Sequence, residues 1–278
     1  MNELSRLWFA EWIVIGFFIY LIVLARIFPL GNRARLRILA VGIVCSGLTI
    51  MLSQLQLSPT LQLAREWLPV IYLVQGYWCS VAFFCQPTIV IEERLSNFDR
   101  IVFELTKITT LLTRGPKLLL EYLELTHVLA YPMVLINFGL FCWIRLSTES
   151  DYFWTAVLLA GYGCYGCLPW LQIRTPLYLE RNNLHIKRNL IFRRLNFFVR
   201  NMASMHVSTF PSSHIAINVA AALVIISMDS KIGMLSVILA TSMAVSTVLG
   251  RYHYFLDSIF GVLIGVMGWW IGTQLILT

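Results

Sequence analysis

Charged residues are scarce in this sequence of 278 residues, because Asp, Glu, Lys and Arg together make up only 13% of it. Hydrophobic residues make up 58%, and the mean hydropathy is +0.75. One soluble core of this size cannot hide so much apolar surface, so the composition excludes a water-soluble globular protein. The sequence also lacks internal repeats and low-complexity tracts, which favours a single membrane domain.

A pattern of paired cysteines is absent as well. The six cysteines lie within or beside apolar runs, and the close pair Cys164 and Cys167 has no second pair of metal ligands near it. We therefore predict that the cysteines are small buried apolar side chains. The first apolar stretch, 7–24, lacks a small-x-small cleavage site and is too long for a signal-peptide core, so we expect it to be retained as a helix.

Long apolar runs are abundant instead. A membrane-spanning helix needs about 20 mostly apolar residues, and this length divides the chain into about eight predicted spans. They are 7–28, 37–57, 67–86, 125–145, 152–172, 208–228, 233–250 and 256–277. Charges interleaved with apolar residues predict interfacial amphipathic helices over 87–123, broken at Gly115-Pro116, and over 174–200. The predicted fold class is therefore all-α, a polytopic transmembrane helical bundle.

The net charge of +7 is concentrated in the loops on one face of this predicted bundle. Those loops are 29–36, 87–124 and 173–207, and the positive-inside tendency places them in the cytoplasm. A lumenal or periplasmic location of this face is the alternative. Contact with anionic lipid headgroups explains the positive charge, so we predict no nucleic-acid partner.

Three polar clusters interrupt the apolar runs at this same face. They cover residues 174–176, 210–214 and 250–257, and counting the spans brings all three to one membrane depth. Two histidines, an arginine and an aspartate are costly to keep near hydrocarbon, so the clusters predict a functional site. His127, beside Tyr131-Pro132, is predicted to be a packing or kink feature, with contact to the substrate as the alternative.

Phosphoryl transfer is the chemistry that these clusters can perform. If the last helix begins early, His253 and Asp257 share a helix face, and the carboxylate can hold one imidazole nitrogen. The other nitrogen can then attack phosphorus and form a phosphohistidine, while His214 protonates the leaving oxygen. Groups available to bind the phosphate are the N-terminal amides of the sixth span, Arg251, Arg174, Ser212 and Ser213. Capping of the helix is the alternative role of the two serines.

These clusters resemble a known family. Pro-Ser-Ser-His at 211–214 and Arg-x-His-x-x-x-Asp at 251–257 are similar to the second and third motifs of the type 2 phosphatidic acid phosphatase (PAP2) superfamily. The resemblance is closest to the branch of inositol phosphorylceramide and sphingomyelin synthases, which have a His-Tyr-x-x-Asp third motif. It implies a helical bundle with His253 as nucleophile, Asp257 as its orienting partner and His214 as general acid.

The sequence departs from the family pattern at its phosphate contacts. Ser246 is followed by Thr247 where the family has an arginine, and the arginine here is Arg251, two residues before the histidine. Thr175 separates Arg174 from the proline that usually follows it. Ser213 stands where the family usually has glycine.

The resemblance implies one membrane domain over 1–278. N-terminal helices and an interfacial segment (1–124) precede a PAP2-like catalytic core (125–278). A lipid phosphate or phospholipid is the expected substrate, and the mechanism requires no cofactor and no metal. Hydrolysis by water and transfer to an alcohol both stay open, with a non-catalytic lipid transporter or scaffold as the third reading. Glu92, Glu93 and Asp99 are expected in an interfacial helix with mixed charges, with a divalent-ion site as the alternative.

Overall fold

The computed structural model describes residues 7–144, 150–179, 189–202 and 207–277, and in these ranges the chain is almost entirely helical. The all-α prediction is therefore confirmed. Arg6, Arg145, His185 and His206 lie outside the described residues. In chain order the elements are α1 (Phe9–Ile27), α2 (Asn32–Gln54), α3 (Pro59–Val81), α4 (Ile89–Leu105), α5 (Ile108–Arg114), α6 (Lys117–Leu129), α7 (Met133–Ile144), α8 (Ser150–Cys167), β1 (Ile173–Arg174), α9 (Pro176–Leu179), α10 (Ile191–Met202), β2 (Val207–Ser208), α11 (Ser213–Met228), α12 (Ser230–Leu249) and α13 (Phe255–Leu277).

Four of the described helices, α1, α2, α12 and α13, are long and apolar enough to cross a membrane. This confirms an integral membrane protein, but the predicted total of eight spans is not confirmed. The α3 and α8 helices carry polar residues that lower their hydropathy, and α11 has only 16 residues. The count rises to five if α6 and α7 together form one bent span.

The predicted span over 125–145 is divided into two helices. The α6 helix ends at Leu129, α7 begins at Met133, and their axes differ in direction by 72°. Pro132 lies at the break, where its missing N–H and its ring disfavour a continuous helix. The predicted kink is thus confirmed, and a single straight helix over 125–145 is wrong.

The predicted interfacial segment forms α4 and α5 and then ends at Gly115-Pro116, which confirms the expected break. The mixed-charge pattern predicts an interfacial helix, but it does not predict which acidic residues of α4 are buried. Glu92 and Asp99 are buried, whereas Glu93 is exposed. Glu92 and Asp99 are seven residues apart, so they share one helix face, and that face packs against the protein.

The α8 helix is the centre of the bundle and packs against α1, α3, α11 and α13. Phe153 and Trp154 are completely buried, and the indole Nε1 of Trp154 donates a hydrogen bond to the Glu66 carbonyl at 2.7 Å. Near the other end of α8, the Tyr162 ring stacks on Phe17 with centroids 3.9 Å apart. Aromatic packing along α8 therefore joins the N-terminal helices to the C-terminal half.

Glycines allow α13 to approach its neighbours closely, as the sequence predicts. A Cβ added at Gly265 would lie 2.6 Å from the Ala216 carbonyl oxygen of α11, and one at Gly268 would lie 2.8 Å from the Ala156 carbonyl of α8. Small residues permit such backbone approach in membrane bundles. The start of α13 is thereby held against the start of α11.

A cluster of charged residues ties α1, α3 and α8 together at the end of the bundle where these helices begin. The Arg65 guanidinium binds both carboxylate oxygens of Glu11, at 2.6 and 2.7 Å. Asp151 accepts hydrogen bonds from the backbone N–H groups of Phe9 and Ala10, at 3.0 and 2.8 Å. We call Glu11, Arg65 and Asp151 the distal polar layer.

All six cysteines are free. Cys45, Cys79 and Cys164 are buried, as predicted for small apolar side chains. Cys85 is exposed, so the prediction of burial is wrong there, because the chain leaves α3 for the loop that leads to α4.

Candidate active site

His253 lies in the tight turn between α12 and α13. The backbone N–H groups of Tyr252 and His253 both donate to the Thr247 carbonyl, at 2.9 and 3.1 Å. Arg251 has a left-handed backbone with φ of 63°, an uncommon conformation for a residue other than glycine. Because α13 begins only at Phe255, the expected early start of this helix is wrong. The turn holds His253 in place instead.

The expected contact between His253 and Asp257 is nevertheless present. The imidazole Nδ1 lies 2.5 Å from Asp257 Oδ2, and the Asp257 side chain is completely buried. A neutral imidazole that donates from Nδ1 to this carboxylate has its lone pair on Nε2. Nε2 is then the ring nitrogen that can act on a substrate.

Ser208 is a further partner of this pair that the sequence analysis did not identify. Its Oγ lies 3.1 Å from His253 Nδ1 and donates to Asp257 Oδ2 at 3.3 Å. Ser208 is positioned by the antiparallel pairing of β2 with β1, in which it lies opposite Ile173. Strands of two residues give no periodic signal, so the pairing could not be predicted from the sequence.

His214 lies on the opposite side of the site, in the first turn of α11. Its ring centroid is 6.1 Å from that of His253, and the Tyr131 ring approaches it edge to face at 5.1 Å. The N–H of Ser212 donates to the Asp257 carbonyl at 3.3 Å, which joins the starts of α11 and α13. Two histidines, His253 from a turn and His214 from a helix, thus face a common space.

Arg251 is bound to α4. Its Nη1 lies 2.5 Å from Asp99 Oδ2, and its guanidinium carbon lies 4.9 Å from the centre of the Phe103 ring. The other carboxylate oxygen of Asp99 accepts from the Phe255 N–H at 2.9 Å. Asp99 therefore fixes both the arginine and the first residue of α13.

Arg174 is also bound to α4. The next residue, Thr175, faces the site. Its Nη2 lies 2.7 Å from Glu92 Oε2, and its backbone N–H donates to Glu92 Oε1 at 2.7 Å. The hydrogen bond from Glu92 raises the pKa of Arg174 above its ordinary value, so the guanidinium stays charged. Both predicted phosphate-binding arginines are held by carboxylates of α4.

The two predicted serines lie at the start of α11. Ser212 is the N-cap residue, but its side chain makes no capping hydrogen bond, and its Oγ is buried without a hydrogen-bond partner among the described residues. Thr209 makes the local contacts instead: its Oγ1 accepts from the Ser213 N–H at 3.2 Å and lies 3.1 Å from Ser213 Oγ. The Ser212 hydroxyl is therefore left for another group.

A cavity of about 40 Å³ lies between the two histidines. This volume holds about three water molecules, which is comparable to one phosphoryl group. We call it the active-site cavity. It is lined by Tyr77, His127, Tyr131, Thr175, Val207, Thr209, His214, Tyr252 and His253.

His127 forms part of the wall of this cavity, stacked on Tyr252 with ring centroids 3.7 Å apart. The Tyr252 hydroxyl donates to Glu124 at 2.6 Å, and Glu124 is also bound by Asn196 of α10 at 2.8 Å. Predicted as a packing residue, His127 packs directly beside the turn that carries His253. The distance in sequence between α6 and this turn hid the contact.

Residues 93–271 match the family model described as PAP2 superfamily, and this match covers more than half of the chain. The chain belongs to the PAP2 superfamily. Membership indicates a phosphatase or phosphotransferase type of enzyme. The PAP2 match includes all seven predicted site residues but not α1, α2 or α3. The closer likeness to the synthase branch is not confirmed, and no curated protein and no solved structure matches the chain.

Proposed function

We propose that this protein is a membrane-embedded lipid phosphate phosphatase that acts through a phosphohistidine on His253. The observation that carries the proposal is the buried contact of His253 Nδ1 with Asp257 at 2.5 Å, opposite His214 across the active-site cavity. An oriented neutral imidazole is what a nucleophile needs, whereas simple anion binding needs only positive charge.

In the first step, His253 Nε2 attacks phosphorus of a phosphate ester, and a nitrogen–phosphorus bond forms. The bond between phosphorus and the ester oxygen breaks, and the leaving alkoxide takes a proton from His214. Asp257 stabilises the positive charge that develops on the His253 imidazole. The products of this step are an alcohol and the phosphohistidine.

The first step leaves His214 neutral. In the second step, water attacks phosphorus and gives a proton to His214. The nitrogen–phosphorus bond breaks, which releases inorganic phosphate and restores the starting state of both histidines. If an alcohol takes the place of water, the same step transfers the phosphoryl group. The His253-Tyr254 sequence, shared with the synthase motif, is the observation that keeps this phosphotransferase alternative.

The phosphoryl charge is matched by groups around the active-site cavity. The N-terminal amides of α11, the Ser212 and Ser213 hydroxyls and Thr209 supply hydrogen-bond donors. Arg251 and Arg174 supply positive charge from positions next to cavity residues, while α4 keeps their guanidinium groups in place. Donors from the start of α11 and positive charge from the two arginines together can bind the phosphoryl group, even though the arginines depart from the family's pattern.

The test is turnover of a panel of lipid phosphates and phosphodiesters by purified protein in detergent with EDTA. Free phosphate and new lipid products are both followed, with and without an added alcohol. We expect phosphate release in the wild type and a loss of at least about 10³-fold in His253→Asn. A new phospholipid that forms only with the alcohol would establish the transferase instead.

Two controls separate chemistry from folding. Lys231→Ala changes an exposed residue at the far end of α12 and is expected to keep full activity. Acid-labile phosphate trapped on the wild type, but not on His253→Asn, identifies the phosphohistidine. Lipid binding without turnover in the wild type would refute the enzyme and support the transporter or scaffold.

A further inference from the structure

A second and larger cavity, of about 240 Å³, opens beside the active-site cavity. We call it the tail groove. Its lining carries no Asp, Glu, Lys or Arg, and only one amide, within the described ranges. The lining residues are Val70, Leu73, Val74, Tyr77, Trp78, Ala130, Tyr131, Val134, Leu135, Tyr165, His214, Ile217 and Asn218.

The tail groove adjoins the active-site cavity. Tyr77, Tyr131 and His214 line both. The NH2 group of Asn218 is already used, because Nδ2 donates to the His214 carbonyl at 2.8 Å and to the Ala130 carbonyl at 3.3 Å. Among the described residues its Oδ1 has no hydrogen-bond partner, so it is a single polar acceptor in an otherwise largely apolar lining. A molecule in the groove therefore meets mostly apolar surface along its length, and one end of it can reach His214, the proposed general acid.

One wall of the tail groove is a single face of α3. Its positions 70, 73, 74, 77 and 78 recur at the spacing of an amphipathic helix. They extend over eight residue steps, or about 12 Å along the helix axis. The α3 helix lies outside the region that matches the PAP2 superfamily.

The other wall is formed by the bend between α6 and α7. Ala130 and Tyr131 lie in the bend, and Val134 and Leu135 follow in the first turn of α7. The change of direction of 72° turns α7 away from the line of α6. Leu135 is 37% exposed and Val74 is 49% exposed, so the groove opens sideways, toward the lipid that surrounds a membrane helix bundle.

We infer that the tail groove binds an acyl chain of the lipid phosphate substrate and that α3 sets the chain length that is preferred. The inference rests on the proposed function, since the phosphate must lie between His253 and His214. A sideways opening lets the chain enter from the bilayer while the headgroup reaches the cavity. For an alkyl phosphate that is monomeric in water, each methylene that the groove buries should raise kcat/KM by about fourfold.

The experiment compares kcat/KM for a long-chain and a short-chain alkyl phosphate in variants of both walls. Val74→Trp and Val134→Trp place a bulky ring at the groove, and each should lower the ratio of long-chain to short-chain kcat/KM by about 10-fold or more. The matched controls are Ile71→Trp and Ile136→Trp, which change exposed neighbours that do not line the groove. These controls should keep the wild-type ratio.

An unchanged ratio in folded Val74→Trp and Val134→Trp protein would overturn the inference, as would an equal fall in the two controls. Photolabelling supplies a readout that does not depend on turnover. A long-chain alkyl phosphate with a terminal diazirine should label peptides that contain residues 70–78 or 130–135. Labelling elsewhere refutes the groove, whereas labelling there in a protein without turnover keeps the groove and refutes the phosphatase.

Discussion

Two buried polar regions lie near opposite ends of α8, a helix of 18 residues that is about 27 Å long. The distal polar layer holds Glu11, Arg65 and Asp151. The second region surrounds His253 and Asp257, close to the end at which α8 leads into β1. Both bury charged side chains in an apolar bundle, yet their hydrogen bonding differs.

The charged side chains of the distal polar layer hydrogen-bond to one another and to the backbone at the start of α1. Glu11 receives the Arg65 guanidinium on both oxygens and also accepts from the Trp8 N–H at 2.9 Å, while Asp151 caps α1. Around His253, in contrast, Ser212 Oγ and His214 Nδ1 are buried without hydrogen-bond partners in the described ranges. A buried polar atom without a partner is expensive, so it indicates a place for a ligand.

Under the proposed function, the distal polar layer stabilises the fold and the region around His253 performs the chemistry. Substitution in the distal polar layer should change stability and leave turnover alone. Substitution near His253 should do the reverse. The following variants test whether the two effects divide in this way.

Asp257→Asn should have the largest effect. An amide cannot stabilise the imidazolium that forms when His253 attacks phosphorus, so we expect kcat to fall about 10³-fold. The unfolding midpoint in detergent should move by only a few degrees, because the amide has the shape of the carboxylate. A fall of less than about 10-fold would remove Asp257 from the proposed mechanism.

Glu11→Gln should have the next largest effect, on stability. It leaves the buried Arg65 guanidinium without its counter-charge, which costs about 3 kcal/mol of unfolding free energy. Denaturant unfolding in detergent measures this loss. Turnover per folded molecule should match the wild type, and a parallel loss of kcat would show that the two regions are coupled through α8.

Ser208→Ala should have the smallest effect. It removes one neutral hydrogen bond to the pair of His253 and Asp257, worth about 1 kcal/mol, so kcat should fall about fivefold. Ser208→Thr keeps a hydroxyl and should restore most of the rate. Equal rates in the alanine and threonine variants would show that the hydroxyl does not position the imidazole.

The fold could be predicted well where apolar length decides the structure. The predicted span 7–28 corresponds to α1 (Phe9–Ile27), and 233–250 corresponds to α12 (Ser230–Leu249). The span over 125–145 failed in part because hydropathy does not register the change of direction at Pro132. Composition thus predicts well whether a segment enters the membrane. It predicts less well the direction in which the segment runs there.

The site could be predicted where its residues are close in sequence. His253 and Asp257 are four positions apart, whereas Asp99 and Arg251 are separated by 152 positions. The charges of α4 repeat with a helical period. The same pattern arises whether that face of the helix is exposed to water or packs against arginines. Only tertiary packing decides between these two surroundings, so the partners of Arg174 and Arg251 stayed hidden.

The α3 helix lies outside the PAP2 match yet forms one wall of the tail groove. If the tail groove binds an acyl chain, part of the substrate preference belongs to a stretch of the polypeptide that is separate from the two histidines. Changes in α3 would then alter which lipids fit without altering the residues proposed for chemistry. On that inference, a protein that meets new membrane lipids can adapt through this N-terminal helix while its proposed phosphoryl chemistry is kept.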